Sequence, residues 1–226
     1  MENVRQHFDK EAKEFDNIIL RLIPDYSQMT EALVSSIPFD KSASIRVIDL
    51  GCGTGTVAEH TLLSYPNALL TCIDFAENMI SIARQKLRAY ANTKYIVGDF
   101  SVFSGEYHVA LSSLALHHLL TDEDKRRLYR RIYDSLEPGG VFYDADVVLG
   151  SNTYLHKMYM SKWMAFMRRN VTQEEIESKW IPKYEAEDHP AALIDQLAWL
   201  YEIGFADLDV IWKHYNFAVY GGRKRK

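Results

Sequence analysis

Residues 45–55 read IRVIDLGCGTG, and this stretch decides most of what the chain can be. Its apolar half, which ends at Leu50, is typical of a strand buried on both faces. Its second half supplies glycines at positions 51, 53 and 55, which let a ligand approach the backbone closely. A buried strand that runs into a glycine-rich turn and a helix forms a nucleotide crevice, so the stretch predicts a nucleotide-type cofactor site.

The spacing of these glycines narrows the choice of cofactor class. The dinucleotide fingerprint needs G-x-G-x-x-G, and a P-loop needs Gly-Lys-Ser/Thr, and neither pattern occurs here. With the acidic Asp49 before the first glycine, the segment resembles the cofactor loop of class I S-adenosylmethionine-dependent methyltransferases. In that family, an acidic residue and backbone atoms of the loop serve the amino-acid end of the cofactor. The other interpretation is a glycine-rich turn that binds no ligand.

Composition is that of a globular enzyme. The chain has 226 residues, 47% of them hydrophobic and 25% charged, which suits one domain of moderate size and excludes a disordered chain. A net charge of −5 gives no electrostatic reason to expect nucleic-acid binding. The only basic run is at residues 223–226, and it is interpreted as a solvated end.

The cysteine content and the N-terminal residues predict the cellular compartment of the protein. Cys52 and Cys72 are too few for a disulfide framework or a zinc site, which favours a reducing environment. The first 20 residues carry too many charges for a signal peptide, and no apolar run approaches membrane-spanning length. We therefore expect a cytoplasmic protein with no membrane association.

Strand-like and helix-like segments alternate along the chain. The predicted fold class is α/β: a Rossmann-like, doubly wound, seven-stranded and mostly parallel sheet with an antiparallel C-terminal hairpin, plus helical lid elements. After the first strand, further strands are predicted at 69–74, 94–97, 107–112, 141–147, 206–212 and 215–220. Helices are predicted at 56–64, 77–90, 122–136 and 191–203, the last with Pro190 at its first turn and Gly204 as its stop.

We expect residues 1–226 to form a single methyltransferase domain with four parts. Residues 1–44 should form N-terminal helices in two pieces, broken at Pro24 and closed at Pro38, and residues 45–147 the cofactor-binding core. Residues 148–190 are predicted to be a helical lid insertion, and residues 191–226 the last helix and β-hairpin. The insertion is rich in aromatic residues and methionine, which is typical either of plain core packing or of a lid over an apolar pocket.

Acidic residues stand at the carboxyl ends of three successive predicted strands. Because ligands of open parallel sheets bind at these ends, Asp49, Asp74 and Asp99 are predicted to converge with Ser113 on one cofactor. Asp74 can accept both hydroxyl protons of a ribose, and Asp99 can accept from an adenine amino group while Phe100 covers the base. Taken singly, each acid is equally typical of a helix cap.

The whole chain resembles, more narrowly, the carboxy-S-adenosylmethionine synthases and related methyltransferases. The matching motifs are Phe8-Asp9, Phe15-Asp16, Ile23-Pro24-Asp25-Tyr26, Gly51-Cys52-Gly53, Leu136-Glu137-Pro138-Gly139-Gly140, Gly204-Phe205 and Tyr215-Asn216-Phe217. The resemblance implies cofactor contacts from Tyr26, Gly51, Cys52, Gly53, Asp74, Phe75, Asp99, Phe100 and Ser113. The synthases also use an arginine before the last helix to hold the extra carboxylate. Residues 180–185 contain no arginine, which favours ordinary methyl transfer.

Methyl transfer from a sulfonium is an in-line displacement, so the protein mainly aligns the reactants and, for oxygen or nitrogen acceptors, supplies a base. His117 is the predicted catalytic residue, although the neighbouring His118 fits the same role, and either ring could instead pack against the following helix. No metal is predicted, because the sequence has no pair of ligands at i and i+4; acid and imidazole groups such as Asp188-His189 leave metal assistance open.

The predicted function is a transferase (EC 2.1.1.-) that uses S-adenosyl-L-methionine to methylate a small-molecule acceptor. One alternative is a cofactor-remodelling enzyme like the carboxy-S-adenosylmethionine synthases, and another is a non-catalytic module that binds the cofactor and acts through a partner. The acidic surface lacks the basic stripe that a nucleic-acid partner requires. A homodimer, the identity of the acceptor and the atom that is methylated stay open.

Overall fold

A computed structural model describes residues 2–100 and 102–226, and its centre is a single seven-stranded sheet. The strands are β1 (Arg46–Leu50), β2 (Leu69–Asp74), β3 (Thr93–Val97), β4 (Tyr107–Ser113), β5 (Leu136–Val147), β6 (Phe205–His214) and β7 (Phe217–Lys224). They lie in the order β3-β2-β1-β4-β5-β7-β6. Strands β1 to β5 pair in parallel, and β7 pairs antiparallel with both β5 and β6. The predicted fold class is confirmed.

Helices cover both faces of this sheet. They are α1 (Glu2–Glu11), α2 (Phe15–Leu22), α3 (Tyr26–Ser35), α4 (Thr56–Ser64), α5 (Glu77–Lys86), α6 (Asp122–Ser135), α7 (Thr153–Met167), α8 (Gln173–Glu175), α9 (Ile181–Glu187) and α10 (Leu193–Ile203). Along β1, Val47 belongs to one large apolar cluster and Ile48 to the other, because successive side chains of a strand point to opposite faces. Burial on both faces explains why β1 reads as a continuous apolar run.

The N-terminal region contains three helices, so the prediction of two helical pieces is wrong. Three helices form, because the chain turns at residues 12–14 between α1 and α2, where the sequence has neither glycine nor proline. The predicted break at Pro24 is present, and Asp25 takes a left-handed conformation there with φ 52°. The first break is therefore set by packing of α1 and α2 on the core rather than by a local signal.

The insertion between β5 and α10 is helical throughout most of its length. After α7, Thr172 caps α8 by accepting a hydrogen bond from the Glu175 N–H, and one π-helical turn (Ile176–Trp180) connects α8 to α9. Helix α10 begins at Leu193, later than the predicted Ala191, because the Leu149 N–H donates to the Ala191 carbonyl in a short bridge between chain segments. In the part of the chain that the structure describes, no helix combines the length and apolar character needed to cross a membrane.

Candidate active site

The glycine loop after β1 is held by its own backbone and by Asp74. Gly51 has φ +73°, and a Cβ atom there would lie 2.3 Å from the Ala115 Cβ, so only glycine fits. The Gly53 N–H donates to one carboxylate oxygen of Asp74 at 2.9 Å, and the Ala76 N–H donates to the other at 2.9 Å. Asp74 therefore holds both the glycine loop and the N–H of Ala76, the residue before α5, while each oxygen keeps a lone pair for a ligand.

Asp49 is the most unusual group at this edge of the sheet. Its side chain is 1% exposed, and neither carboxylate oxygen has a hydrogen-bond partner among the residues that the structure describes. Burial, with the charge of Asp74 nearby, raises the pKa of Asp49 to about 7. Burial likewise raises the pKa of Asp74 to about 6. A buried carboxylate without partners is costly, so this position favours a cationic ligand.

A cavity opens in front of these carboxylates. Its lining includes nine of the ten predicted cofactor residues, namely Tyr26, Asp49, Gly51, Cys52, Gly53, Asp74, Phe75, Phe100 and Ser113. The tenth, Asp99, lines a neighbouring open groove together with Phe100, which borders both. The glycine loop, the two carboxylates and the aromatic side chains thus lie around one space, and Asp99 stands beside it.

Helices α1 and α2 lie over this cavity, and polar contacts hold them there. Asp16 accepts hydrogen bonds from the Thr54 hydroxyl at 2.5 Å and from the Lys86 ammonium at 2.8 Å. Asp9 accepts from the Asn78 N–H at 2.9 Å at the start of α5. Through these contacts, the N-terminal segment closes the cavity with Phe8 and Phe15.

A second cavity adjoins the first. The two share the side chains of Phe8, Phe15, Leu114 and His118. Leu114 is one of the few non-glycine residues with positive φ (51°), and its N–H donates to the Ala145 carbonyl at 2.9 Å. Most of the remaining lining is apolar: Ile18, Ile19 and Leu22 of α2, Ile23, Val147 of β5, Trp163 of α7, Trp180 of the π-helical turn, Tyr184 of α9 and Phe217 of β7. The charged side chains that line it are Glu11, Lys183 and Asp188.

His117 stands in this second cavity, in a short 3₁₀ turn after β4 (Leu116–His118). Asp146, near the end of β5, accepts from the His117 N–H at 2.9 Å and from its ring Nδ1 at 2.5 Å. The ring Nε2 lies 3.6 Å from an Asp188 oxygen. Burial alone would lower the pKa of His117, but the two carboxylates outweigh it and raise the pKa to about 9.

His118 has the opposite electrostatic character although the ring centroids of the two histidines are only 4.0 Å apart. Burial, together with the adjacent His117, lowers the pKa of His118 well below its usual value. Its Nδ1 lies 3.2 Å from the Glu187 carbonyl and 3.3 Å from an Asp188 oxygen. Because His118 borders both cavities, it occupies the junction between them.

Asp146 and Lys183 were not predicted as site residues, and Asp188 was considered only together with His189 as a group that could bind a metal. Asp146 could have been found, because it stands near the carboxyl end of a predicted strand like Asp49 and Asp74. Asp188 and Lys183 carry no such local signal, since they reach the cavity only because the insertion folds back over the sheet. Lys183 is ion-paired with Glu11 of α1, with 2.7 Å between Nζ and a carboxylate oxygen.

Known methyltransferases are similar to this chain in sequence and in fold. The family model described as a methyltransferase domain matches residues 47–140. The carboxy-S-adenosyl-L-methionine synthase of Nautilia profundicola is 26% identical over 218 residues, which cover 94% of this chain and 92% of that protein. The malonyl-[acyl-carrier protein] O-methyltransferase of Bacillus cytotoxicus is 44% identical over 143 residues, but these cover only 58% of this chain and 46% of that protein.

Among solved structures, human N-acetylserotonin methyltransferase in complex with S-adenosylmethionine has the same fold, with a TM-score of 0.64 at 18% identity. The match covers 98% of this chain and 57% of the human one, so this chain spans little more than half of that protein. The family model, which covers less than half of the chain, and the named relatives support a class I S-adenosylmethionine-dependent methyltransferase, and the solved structures show the matching fold. Within that class, the chain lies near the carboxy-S-adenosyl-L-methionine synthases.

Proposed function

We propose that the first cavity holds S-adenosyl-L-methionine and that the enzyme transfers its methyl group to a small acceptor in the second. The observation that carries this proposal is Asp49, a buried carboxylate without partners among the described residues, at the edge of the first cavity. The α-ammonium of the cofactor's methionine moiety is the cation that suits it. Asp74 then offers its remaining lone pairs to the ribose hydroxyls, and Phe100 borders the adenine. The adenine contact of Asp99 stays a prediction.

The shared border of the two cavities supports an acceptor site in the second. In-line displacement needs the acceptor atom opposite the leaving sulfur, with both reactants held in a narrow range of orientations. Leu114 and His118 border both cavities, so a molecule in the second can approach a sulfonium in the first. The apolar walls suit an acceptor with a hydrophobic body, which we propose to be a small molecule.

We propose His117 as the residue that activates the acceptor. Asp146 fixes both its backbone and its ring, with Nδ1 toward the carboxylate and Nε2 toward the cavity. Because its pKa is raised to about 9, the ring accepts a proton from the acceptor only in its deprotonated form, so activation should increase as the pH rises toward 9. A ring held by a buried carboxylate in this way is typical of positioned imidazoles in catalytic sites. Asp146 does not line the cavity, and we propose it as a positioning residue.

A second candidate function, remodelling of the cofactor itself, is favoured by the near full-length similarity to carboxy-S-adenosyl-L-methionine synthases. Lys183, in the segment where those synthases carry their arginine, is already paired with Glu11. An extra carboxylate would therefore compete with Glu11 for this ammonium, which favours ordinary methyl transfer. Incubation with S-adenosylmethionine and prephenate, followed by mass analysis of the nucleotide, separates the two: a carboxylated product would establish remodelling.

We also propose a cytoplasmic protein whose acceptor is not a nucleic acid. Both cysteines are free and buried, which suits a reducing compartment. The net charge of −5 would oppose approach to a phosphate backbone.

We expect the protein to bind S-adenosylhomocysteine at one site per chain, and to bind neither NAD nor ATP. The reason is that the short glycine spacing leaves no cradle for a pyrophosphate, while Asp49 selects an ammonium group. Isothermal titration calorimetry measures all three ligands on the same preparation. Incubation of metabolite extracts with methyl-labelled cofactor then identifies the acceptor. Tight NAD binding with no response to S-adenosylhomocysteine would contradict the proposal.

We propose that residues 148–190 and the N-terminal helices form a movable cover over the acceptor cavity. Trp163 of α7 lines this cavity, and its Nε1–H donates to the Leu22 carbonyl at 2.7 Å, so it joins the insertion to α2. Trp163→Ala should therefore raise the KM for the acceptor by about tenfold or more. The affinity for S-adenosylhomocysteine should stay within about twofold of the wild-type value. Tyr154→Ala is the matched control, since Tyr154 lies on the same helix and is 75% exposed.

Hydrogen–deuterium exchange tests whether the cover moves. Adding the cofactor and the acceptor should slow amide exchange in residues 148–190, because closure orders the segment. Exchange that is already at its slowest in the free protein, with no change on adding ligands, would mean that the aromatic residues of the insertion are static core.

A further inference from the structure

Two imidazoles, of His117 and His118, and the carboxylate of Asp188 meet in the second cavity, which is the proposed acceptor site. An oxygen of Asp188 lies 3.6 Å from Nε2 of His117 and 3.3 Å from Nδ1 of His118. One ligand atom from each of the three residues lies within 4.8 Å of the others. Both histidines are buried, and the Asp188 side chain is only 18% exposed. No metal was predicted from the sequence, which has no pair of ligands at i and i+4, and metal assistance was left open. The third member of this cluster comes from a distant segment and leaves no local spacing.

These separations suit ligands around one metal ion better than hydrogen bonds between the side chains. Metal–nitrogen and metal–oxygen bonds of about 2.0–2.2 Å at a tetrahedral angle put neighbouring ligand atoms about 3.4 Å apart. The two observed distances lie on either side of that value. Both exceed the usual range of about 2.7–3.2 Å for N–H···O hydrogen bonds.

Asp146 supplies what a metal-bound histidine usually has behind it. A histidine ligand generally donates its other ring N–H to a carboxylate, which fixes its tautomer and raises its basicity. His117 has this arrangement, because Nδ1 is bound to Asp146 and Nε2 is the nitrogen that points to Asp188. The buried Asp146 is fixed in turn by the N–H groups of His117 and Val147.

We infer that His117, His118 and Asp188 form a binding site for a divalent transition-metal ion such as Zn²⁺ or Fe²⁺. Two imidazoles and one carboxylate are a donor set that these ions favour, and three protein ligands leave a position open for an acceptor atom. His118 and Asp188 exchange their present contacts for the ion, including the 3.2 Å contact between His118 Nδ1 and the Glu187 carbonyl.

The inference rests on the proposed function and specifies how His117 acts. Its Nε2 is a metal ligand rather than a free base, and the ion holds an oxygen or nitrogen atom of the acceptor at its open position. Because His118 borders both cavities, an ion bound to it would lie next to the space proposed for the cofactor. The substrate class is therefore an apolar-bodied acceptor with a metal-binding heteroatom.

Titration of the untagged, chelator-treated protein with Co²⁺ and with Zn²⁺ tests the site. We expect one ion per chain, with a visible Co²⁺ spectrum of low coordination number, and Zn²⁺ displacing the Co²⁺. Asp188→Asn should weaken binding by about 100-fold, and Asp146→Asn, which removes the support behind His117, by about 10–100-fold. His60→Ala is the matched control, because it removes a histidine on α4 outside the cluster and should change nothing.

Calorimetry with S-adenosylhomocysteine on the same samples shows that each variant is folded and tests the proposed function separately. Absence of one-to-one binding, or equal affinity in the wild-type protein and Asp188→Asn, overturns the metal site and establishes a self-paired histidine–carboxylate cluster. If S-adenosylhomocysteine binds in either of these cases, the methyltransferase proposal stands without the metal. If S-adenosylhomocysteine does not bind while the ion does, the cofactor proposal fails and the metal site stands.

Discussion

Replacing Asp49 by asparagine will stabilise the free protein and, at the same time, remove most of its affinity for the cofactor. The two effects have one cause, a carboxylate that is 1% exposed and has no hydrogen-bond partner among the described residues. In the complex, this group would gain an ammonium partner, and charge-assisted hydrogen bonds contribute about 1.5–3 kcal/mol each. We therefore expect the Kd of S-adenosylmethionine to rise by about 10–150-fold, measured by calorimetry.

The stability effect depends on pH in a defined direction. An aspartate of the unfolded chain has a pKa near 3.9, whereas burial raises the pKa of Asp49 to about 7 in the folded protein. The folded state therefore keeps a proton that the unfolded chain releases, so the stability of the wild-type protein falls as the pH rises from about 4 through 7. Asparagine does not titrate, so the variant should be more stable at pH 8 by about 1–3 kcal/mol and nearly equal at pH 4.

Denaturant unfolding at pH 4, 6 and 8 measures this difference directly. Asp134→Asn is the control, because this exposed acid of α6 lies outside both cavities and should affect neither stability nor cofactor binding. If Asp49→Asn binds the cofactor as well as the wild-type protein does, or is less stable than it at pH 8, the proposal that Asp49 binds the ammonium group is wrong.

Gly51→Ala should abolish measurable cofactor binding and strongly destabilise the fold. The new Cβ would lie 2.3 Å from the Ala115 Cβ, so either the glycine loop or the turn that carries His117 and His118 must move. Left-handed backbone costs a residue with a Cβ about 1–2 kcal/mol, and overpacking typically adds about 1–3 kcal/mol. Denaturant unfolding gives the total, and calorimetry gives the affinity for S-adenosylhomocysteine.

Gly139→Ala separates the strain of a left-handed backbone from the steric clash with Ala115 that is expected at position 51. Gly139 has a similar φ of +83°, but a Cβ there would have its nearest neighbour, the Lys226 side chain, at an ordinary 3.5 Å. This variant should lose only about 1–2 kcal/mol and keep its cofactor affinity. If Gly51→Ala and Gly139→Ala behave alike, close packing at the glycine loop is not what positions the cofactor.

The sequence by itself was enough to predict the sheet and one edge of it. Strand β1 is buried on both faces, so Val47, Ile48 and Leu50 are apolar on either side of it, and that pattern is visible without any tertiary contact. Asp49 and Asp74 stand at strand ends, and parallel strands bring their carboxyl ends to one edge of a sheet. Nine of the ten residues predicted for the cofactor consequently border one cavity, although their contact with a cofactor is still a prediction.

Tertiary structure alone decided the second cavity and the chemistry in it. His117 and Asp146 meet because β4 and β5 are neighbours in the sheet, whereas Asp188 arrives from an insertion whose path no local pattern fixes. The sequence could not distinguish whether the aromatic residues of that insertion pack in a static core or form a movable cover. Both need apolar side chains at helical spacing. Periodicity records which face of a segment is buried, and only the folded chain determines which distant face buries it.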